Sequence, residues 1–242
     1  MLKKLFAFLN GRGYTCQRCK KEIFHFERSC YCEDCETLLW AIKDFACPKC
    51  GRKTITAGVC LTCKSIPPKF YQGFAPFVYF GETASQINRI KNGNRILPRY
   101  FGEKMANYFL QKVDVESEIL IIPVPTTKEK LEQRGYNQAQ DLAIEVAKVF
   151  EEQNKPYFLD FEILQKIRET QPQKHLTLRQ RYENSEGVYH VHKRTAVKDK
   201  IILLIDDIMT TGATGSACAK ALYGAGASRV YLLTACSLLE QK

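Results

Sequence analysis

Nothing in this 242-residue chain approaches the roughly 20 consecutive apolar residues that span a bilayer as a helix. The opening MLKKLFAFLN carries two lysines and a short apolar stretch, but it is too short for a secretory signal and no small-residue cleavage site follows. A cytoplasmic protein is therefore expected. Outside the cysteines there is no internal repeat, and no low-complexity tract. Neither GxxxxGK[ST] nor GxGxxG occurs, which excludes a Walker-type nucleotide loop and the dinucleotide fingerprint. Tryptophan is scarce, with Trp40 alone, and it is expected to pack within the cysteine-rich segment.

Cysteine, by contrast, is abundant and unevenly placed. Nine of the eleven cysteines precede residue 64. Eight form Cys-x-x-Cys pairs: Cys16/Cys19, Cys32/Cys35, Cys47/Cys50 and Cys60/Cys63. A two-residue gap lets both thiolates face one tetrahedral ion, and two such knuckles complete a four-cysteine zinc site. CPKCG and CLTC have the form of a zinc ribbon, and CQRC with CEDC supply a second, less regular site. About two zinc ions per chain are expected. Adjacent or interleaved pairing, and a single ion with a degenerate first half, are all compatible with the spacing. Cys30 is spare and could replace Cys32; His25 reads as a surface residue, with a ligand role as the alternative. Cys218 and Cys236 read as core residues.

Lys and Arg number 36 against 26 Asp and Glu, a formal +10. Residues 1–70 hold 13 basic and 6 acidic side chains, so the excess is concentrated there. Each filled four-cysteine site would carry about −2, lowering the whole chain to about +6. A polyanionic partner fits that balance. For single-stranded DNA, a groove needs cations beside stacking rings. The candidates are Lys69, Arg89, Lys91, Arg95, Arg99 and Tyr100.

KSIPPKFYQG (64–73) punctuates the chain with two prolines and a glycine. We expect a metal-ribbon module over residues 1–66 and a second domain over 67–242. In the latter, apolar strands at 74–80, 118–124, 200–207 and 229–236 alternate with helical patterns at 83–93, 97–113, 137–153 and 216–226. Such alternation predicts an α/β fold with a parallel sheet covered on both faces.

The sharpest motif is IILLIDDIMTTGATG (201–215). A buried strand ends at Asp206 and Asp207, and the chain turns through Thr210, Thr211, Gly212, Ala213 and Thr214 into a helix. Backbone N–H groups at such a turn cradle an anion, and Gly212 admits close approach of a phosphate. The carboxylates before the cradle can accept hydrogen bonds from vicinal hydroxyls. Together they describe a site for a ribose 5-phosphate. A second strand-loop-helix, 121–143, offers Lys128, Lys130 and Arg134 as cations and Asn137 or Gln138 as donors; alternatively it is a solvated loop balanced by Glu129 and Glu132. Residues 164–187 are basic and read either as a loop that closes over the site or as a surface helix.

The 201–215 segment resembles the PRPP-binding motif of type I phosphoribosyltransferases. That resemblance implies ribose binding by Asp206 and Asp207, 5-phosphate binding by 210–214, diphosphate binding by the 121–143 loop, and Mg2+ accompanying PRPP. The order of motifs extends the likeness over nearly the whole chain. Cys-x-x-Cys pairs are followed by PVP and RGYNQ, then Thr170-Gln171-Pro172-Gln173 with LRQRYEN (178–184), then DDIMTTGAT; Gln173, Arg181 and Asn184 align with family positions. This combination resembles the ComF family. It implies a type I phosphoribosyltransferase-like domain behind a double zinc ribbon, and a role in DNA uptake during natural transformation. There the protein would handle incoming single-stranded DNA in the cytoplasm beside a helicase-like partner. The alternative is an active phosphoribosyltransferase of unknown acceptor; no base-reading hood and no amidotransferase cysteine are recognisable in the sequence.

Overall fold

The structure, a computed structural model, describes residues 15–23, 29–169 and 176–240. After a short helix α1 (Glu33–Glu36) and α2 (Leu61–Ser65), the elements run β1 (Gln72–Phe74), β2 (Phe77–Val78), α3 (Gly81–Lys91), α4 (Leu97–Leu110), β3 (Ile119–Pro123), α5 (Lys128–Arg134), α6 (Gln138–Glu152) and β4 (Tyr157–Leu159). They continue with β5 (Leu164–Lys166), α7 (Leu178–Ser185), β6 (Tyr189–Val191), α8 (Arg194–Val197), β7 (Ile201–Met209), α9 (Ala213–Gly224) and β8 (Arg229–Ser237).

The central sheet is parallel, ordered β1-β8-β7-β3-β4, with β2 also on β8. Its strands are apolar throughout because both faces are covered. Ile121, Leu203, Ile205 and Leu233 point to one face, against Phe101 and Phe109 of α4 and Leu142 and Phe150 of α6. Leu120, Ile122, Leu204 and Leu232 point to the other, against Cys218 and Leu222 of α9. The expected fold class is therefore the observed one.

Three boundaries differ from expectation. The run 74–80 is not one strand: Pro76, which has no N–H to donate, interrupts it, and β1 and β2 pair separately with β8. The helix expected from 216 starts at Ala213, because Gly212 takes the left-handed conformation (φ +83°) and acts as its N-cap. Residues 128–134 are a short helix rather than a loop, capped by the Thr127 hydroxyl and ended by Gly135 at φ +74°.

The cysteine-rich segment covers the open edge of the sheet. Val78 N–H donates to Trp40 O at 2.7 Å, Ile42 N–H to Pro76 O at 2.8 Å, and Gly73 N–H to Lys49 O at 2.8 Å. This blocks the edge from pairing with another chain. Cys16 and Cys35 join the apolar cluster on the α4 face, whereas Cys47, Cys50, Cys60 and Cys63 join the α9 face. Trp40 is not packed inside this segment. It stands 49% exposed, edge to face with Phe80 at 4.7 Å.

Candidate functional site

β3 and β7 are neighbours, yet the helices that follow them, α6 and α9, pack on opposite faces of the sheet. In open α/β sheets the crevice at the carboxyl ends of two such strands is where ligands sit. Both segments singled out in the sequence end there: Pro123 pairs with Ile205, and Val124 N–H donates to Ile205 O at 2.8 Å. The 124–127 loop thus lies alongside Asp206.

Asp207 is buried, and its Oδ2 lies 3.2 Å from Lys91 Nζ. Asp206 keeps a little solvent contact, yet protein atoms surround its carboxyl, whose Oδ1 accepts from Asp207 N–H at 2.9 Å. Desolvation, and then the adjacent Asp207 charge, push the Asp206 carboxyl up to about 8. Beyond β7, Thr210, Thr211 and Thr214 are partly exposed, whereas Gly212 and Ala213 are buried. Phe70 and the Tyr182 hydroxyl border Gly212. Asp206, Thr210, Gly212 and Thr214 line a small cavity with Thr234.

The neighbouring motif is largely structural. Asn137 is buried, its amide NH2 donating to Val124 O at 3.1 Å and its Oδ1 accepting from Ala139 N–H at 3.1 Å as the N-cap of α6. These bonds use one of its two amide hydrogens and make Asn137 the cap of α6. Tyr136 ties its hydroxyl to Ile90 O at 2.6 Å. Arg134 is exposed and Gln138 partly so. Lys128 opens α5, but its side chain lies outside what the structure describes. Lys130 pairs with Glu169 at 3.5 Å.

Within residues 164–187, β5 pairs antiparallel with β6, and α7 is a capped helix, as the surface-helix alternative expects. Tyr182 of α7 donates to Thr211 O at 3.1 Å. The Thr170-Gln171-Pro172-Gln173 element, His25 and His175 lie outside the described residues.

Of the side chains expected to meet DNA, Lys69 and Arg99 are exposed. Arg89 is bound to Gln17 and Gln86. Arg95 pairs with Asp141 at 2.7 Å and lies over the Tyr136 ring. Lys91 faces Asp207. Tyr100 is only 2% exposed, with its hydroxyl on Glu36 at 2.8 Å and its ring against Tyr31. Its position, on the inward face of α4, corrects the expectation of a stacking role.

The cysteines gather as Cys16, Cys19, Cys32 and Cys35, and as Cys47, Cys50, Cys60 and Cys63, with all sulfurs of a group within 4.8 Å of one another. Pairing is therefore adjacent, not interleaved. A tetrahedral ion with Zn–S bonds of about 2.3 Å places sulfurs about 3.8 Å apart. The sulfurs of Cys19 and Cys32 are 3.8 Å apart, and those of Cys50 and Cys60 are 3.7 Å apart. Both groups fit zinc, consistent with two ions per chain. Arg18 reaches toward the Cys35 sulfur at 3.8 Å, a cation beside a thiolate cluster. Cys30 belongs to neither group; burial pushes its thiol up to about 12. Among the described residues no helix is long and apolar enough to cross a membrane.

A parallel α/β body with an acidic pair and phosphate-loop motif at its switch point, joined to two four-cysteine groups, is the class of protein these features define. No protein-family model matches the chain. Two curated relatives do: the competence protein ComFC of Bacillus subtilis (strain 168), 28% identical over 195 residues (78% of this chain and 75% of that protein), and the competence protein ComFC of Streptococcus pneumoniae (strain ATCC BAA-255 / R6), 28% identical over 209 residues (84% and 85%). The chain is a homologue of these ComFC proteins, and the resemblance read from its motifs is borne out. Among solved structures, the Bacillus subtilis glutamine phosphoribosylpyrophosphate amidotransferase, complexed with ADP and GMP, aligns with 56% of this chain at 20% identity and a TM-score of 0.33. The match spans 25% of that structure's chain. A Thermus thermophilus protein aligns with 56% of this chain and 71% of its own at 16% identity and a TM-score of 0.32.

Proposed function

We propose that this chain is a competence protein of the ComFC type, which handles single-stranded DNA in the cytoplasm during natural transformation and binds PRPP or a related phosphoribosyl ligand. The observation that carries the ligand is the placement of Asp206, Asp207 and the 210–214 turn together at the β3 and β7 switch point. In this reading Asp206 and Asp207 accept from the ribose hydroxyls. The turn and the start of α9 hold the 5-phosphate, and Arg134 and Gln138 flank the diphosphate. Mg2+ accompanies PRPP, since diphosphate oxygens are its preferred hard ligands. The DNA role rests on homology with the ComFC proteins and on the basic balance of the chain; a helicase-like competence partner belongs to the same reading.

The intact acidic pair also favours a second reading, an active phosphoribosyltransferase. Titration calorimetry with PRPP and Mg2+, repeated with single-stranded DNA, tests both. PRPP and DNA binding without diphosphate release supports the handling protein. Diphosphate release with an added acceptor supports the enzyme. Absence of PRPP binding removes the ligand from either reading.

A further inference from the structure

Arg52 follows the third cysteine pair directly, in CPKCGR, and is only 6% exposed. Its backbone belongs to the knuckle: Cys47 N–H donates to Arg52 O at 2.8 Å, and Gly51 N–H to Cys47 O at 2.8 Å. Its side chain leaves the ribbon, and Nη2 donates to the carbonyl of Thr210, 158 residues away in the phosphate loop. Tyr182 of α7 donates to the next carbonyl, that of Thr211, at 3.1 Å. Successive carbonyls of the loop are thus held by two groups from different parts of the chain.

A trans peptide points its C=O and the following N–H in opposite directions. No peptide bond in the described chain is cis. Fixing the carbonyls of Thr210 and Thr211 against Arg52 and Tyr182 turns the N–H groups of Thr211 and Gly212 the other way. Among the described residues no acceptor takes either N–H. The Arg52 Nε is likewise buried without a partner among the described residues.

We propose that Arg52 and Tyr182 are positioning residues: they set the peptide orientation of the phosphate loop for an anion, and Arg52 makes that setting depend on the Cys47, Cys50, Cys60 and Cys63 ribbon. The ligand side of this inference rests on the phosphoribosyl reading above. The positioning side does not. Loss of metal from that ribbon releases the turn from which Arg52 extends, because a four-cysteine site supplies most of its own folding free energy. Among the described residues the Cys16, Cys19, Cys32 and Cys35 group has no such arm: its Arg18 pairs with Glu82 at 3.0 Å instead.

The test compares full-length wild type, Arg52→Met, Tyr182→Phe and Cys60→Ser in two measurements. In ligand-free protein, amide hydrogen exchange of 210–214 should rise in all three variants, with the sheet strands β3 and β8 unchanged in Arg52→Met and Tyr182→Phe. Zinc content should stay at the wild-type value in Arg52→Met and Tyr182→Phe. In the second measurement ribose 5-phosphate is titrated. Its affinity should fall roughly tenfold to a hundredfold in Arg52→Met, the scale of one hydrogen bond from a charged group, and by less than that in Tyr182→Phe. Unchanged loop exchange in folded, zinc-loaded Arg52→Met and Tyr182→Phe overturns the proposal. So does loop exchange in Cys60→Ser equal to wild type. Wild type that fails to bind ribose 5-phosphate overturns the phosphoribosyl reading alone, and the exchange result still decides the positioning roles. Tyr182→Phe removes one hydroxyl only, so it keeps the test open if Arg52→Met does not fold.

Discussion

Lys91, at the end of α3, holds its ammonium 3.2 Å from Asp207 Oδ2, at the carboxyl end of β7. A lysine that in the sequence reads as a DNA contact is therefore the countercharge of the acidic pair. Attraction to Asp207 and Asp206 raises its proton affinity despite burial, so it is charged at any physiological pH. Removing it in Lys91→Met should leave a buried carboxylate unpaired and cost roughly 1–3 kcal/mol, less than the ~3–5 kcal/mol of a fully enclosed pair because Lys91 keeps some solvent. Chemical denaturation measures this; unchanged stability would show that the pair contributes nothing.

The acidic pair should also impose a pH dependence. Asp206 rises from an ordinary 3.8 to about 8 on folding. The folded state thus holds a proton that the unfolded chain releases. Its stabilising contribution is complete below about 4 and is lost as pH rises through about 8. Melting temperature should therefore fall for wild type between pH 6 and 9 more than for Asp206→Asn. A hydroxyl needs the carboxylate as acceptor, so ribose binding should strengthen over the same interval in wild type and stay flat in the variant.

Asp206→Asn with Asp207→Asn should weaken PRPP binding while the protein stays folded, because asparagine keeps the volume of each side chain and its amide oxygen can still accept the Asp207 N–H. Calorimetry at constant Mg2+ checks this. Gly212→Val reaches the same site through the backbone. At φ +83° a β-branched residue costs about 1–2 kcal/mol, and the loop should lose its shape along with its affinity.

Elemental analysis should find about two zinc ions per chain. Cys47→Ser should lose one of them and destabilise the α9 face, since that cysteine group is continuous with its core. Gly73→Ala should act at the same contact without touching a ligand. An added Cβ would lie 2.7 Å from the Cys50 carbonyl oxygen, a backbone clash on the scale of about 1–3 kcal/mol. A zinc content near zero, or a disulfide count near four, would rule out the ribbons.

Single-stranded DNA binding should be sequence-tolerant and salt-sensitive, with log affinity falling at a slope near −0.7 per phosphate contact. Lys69→Ala and Arg99→Ala, two of the exposed candidates, should each flatten the slope by about that amount if they touch backbone. Tyr100→Phe should leave DNA affinity unchanged, its hydroxyl being bound to Glu36 inside the fold. A preference for duplex, or indifference to salt, would contradict the DNA reading.

Patterns that are local along the chain were legible before any coordinates. The Cys-x-x-Cys knuckles depend on a two-residue gap, the buried strands on continuous apolar runs, and the phosphate turn on Asp, Thr and Gly at fixed offsets within a dozen residues. Each constrains backbone and side chains over a short span, so residue type and spacing were enough to identify them.

Tertiary structure alone decided which groups share space. Adjacent sharing of the metal sites, the engagement of Lys91 by Asp207, the capping role of Asn137, the burial of Tyr100, and the reach of Arg52 to Thr210 join residues that lie up to 158 positions apart. A lysine, an asparagine or a tyrosine is equally at home on a surface, at a cap or in an ion pair, so its type carries no record of its partner. That partner was set when the parallel sheet brought the carboxyl ends of β3 and β7 side by side and the cysteine-rich segment closed over the β1 and β2 edge.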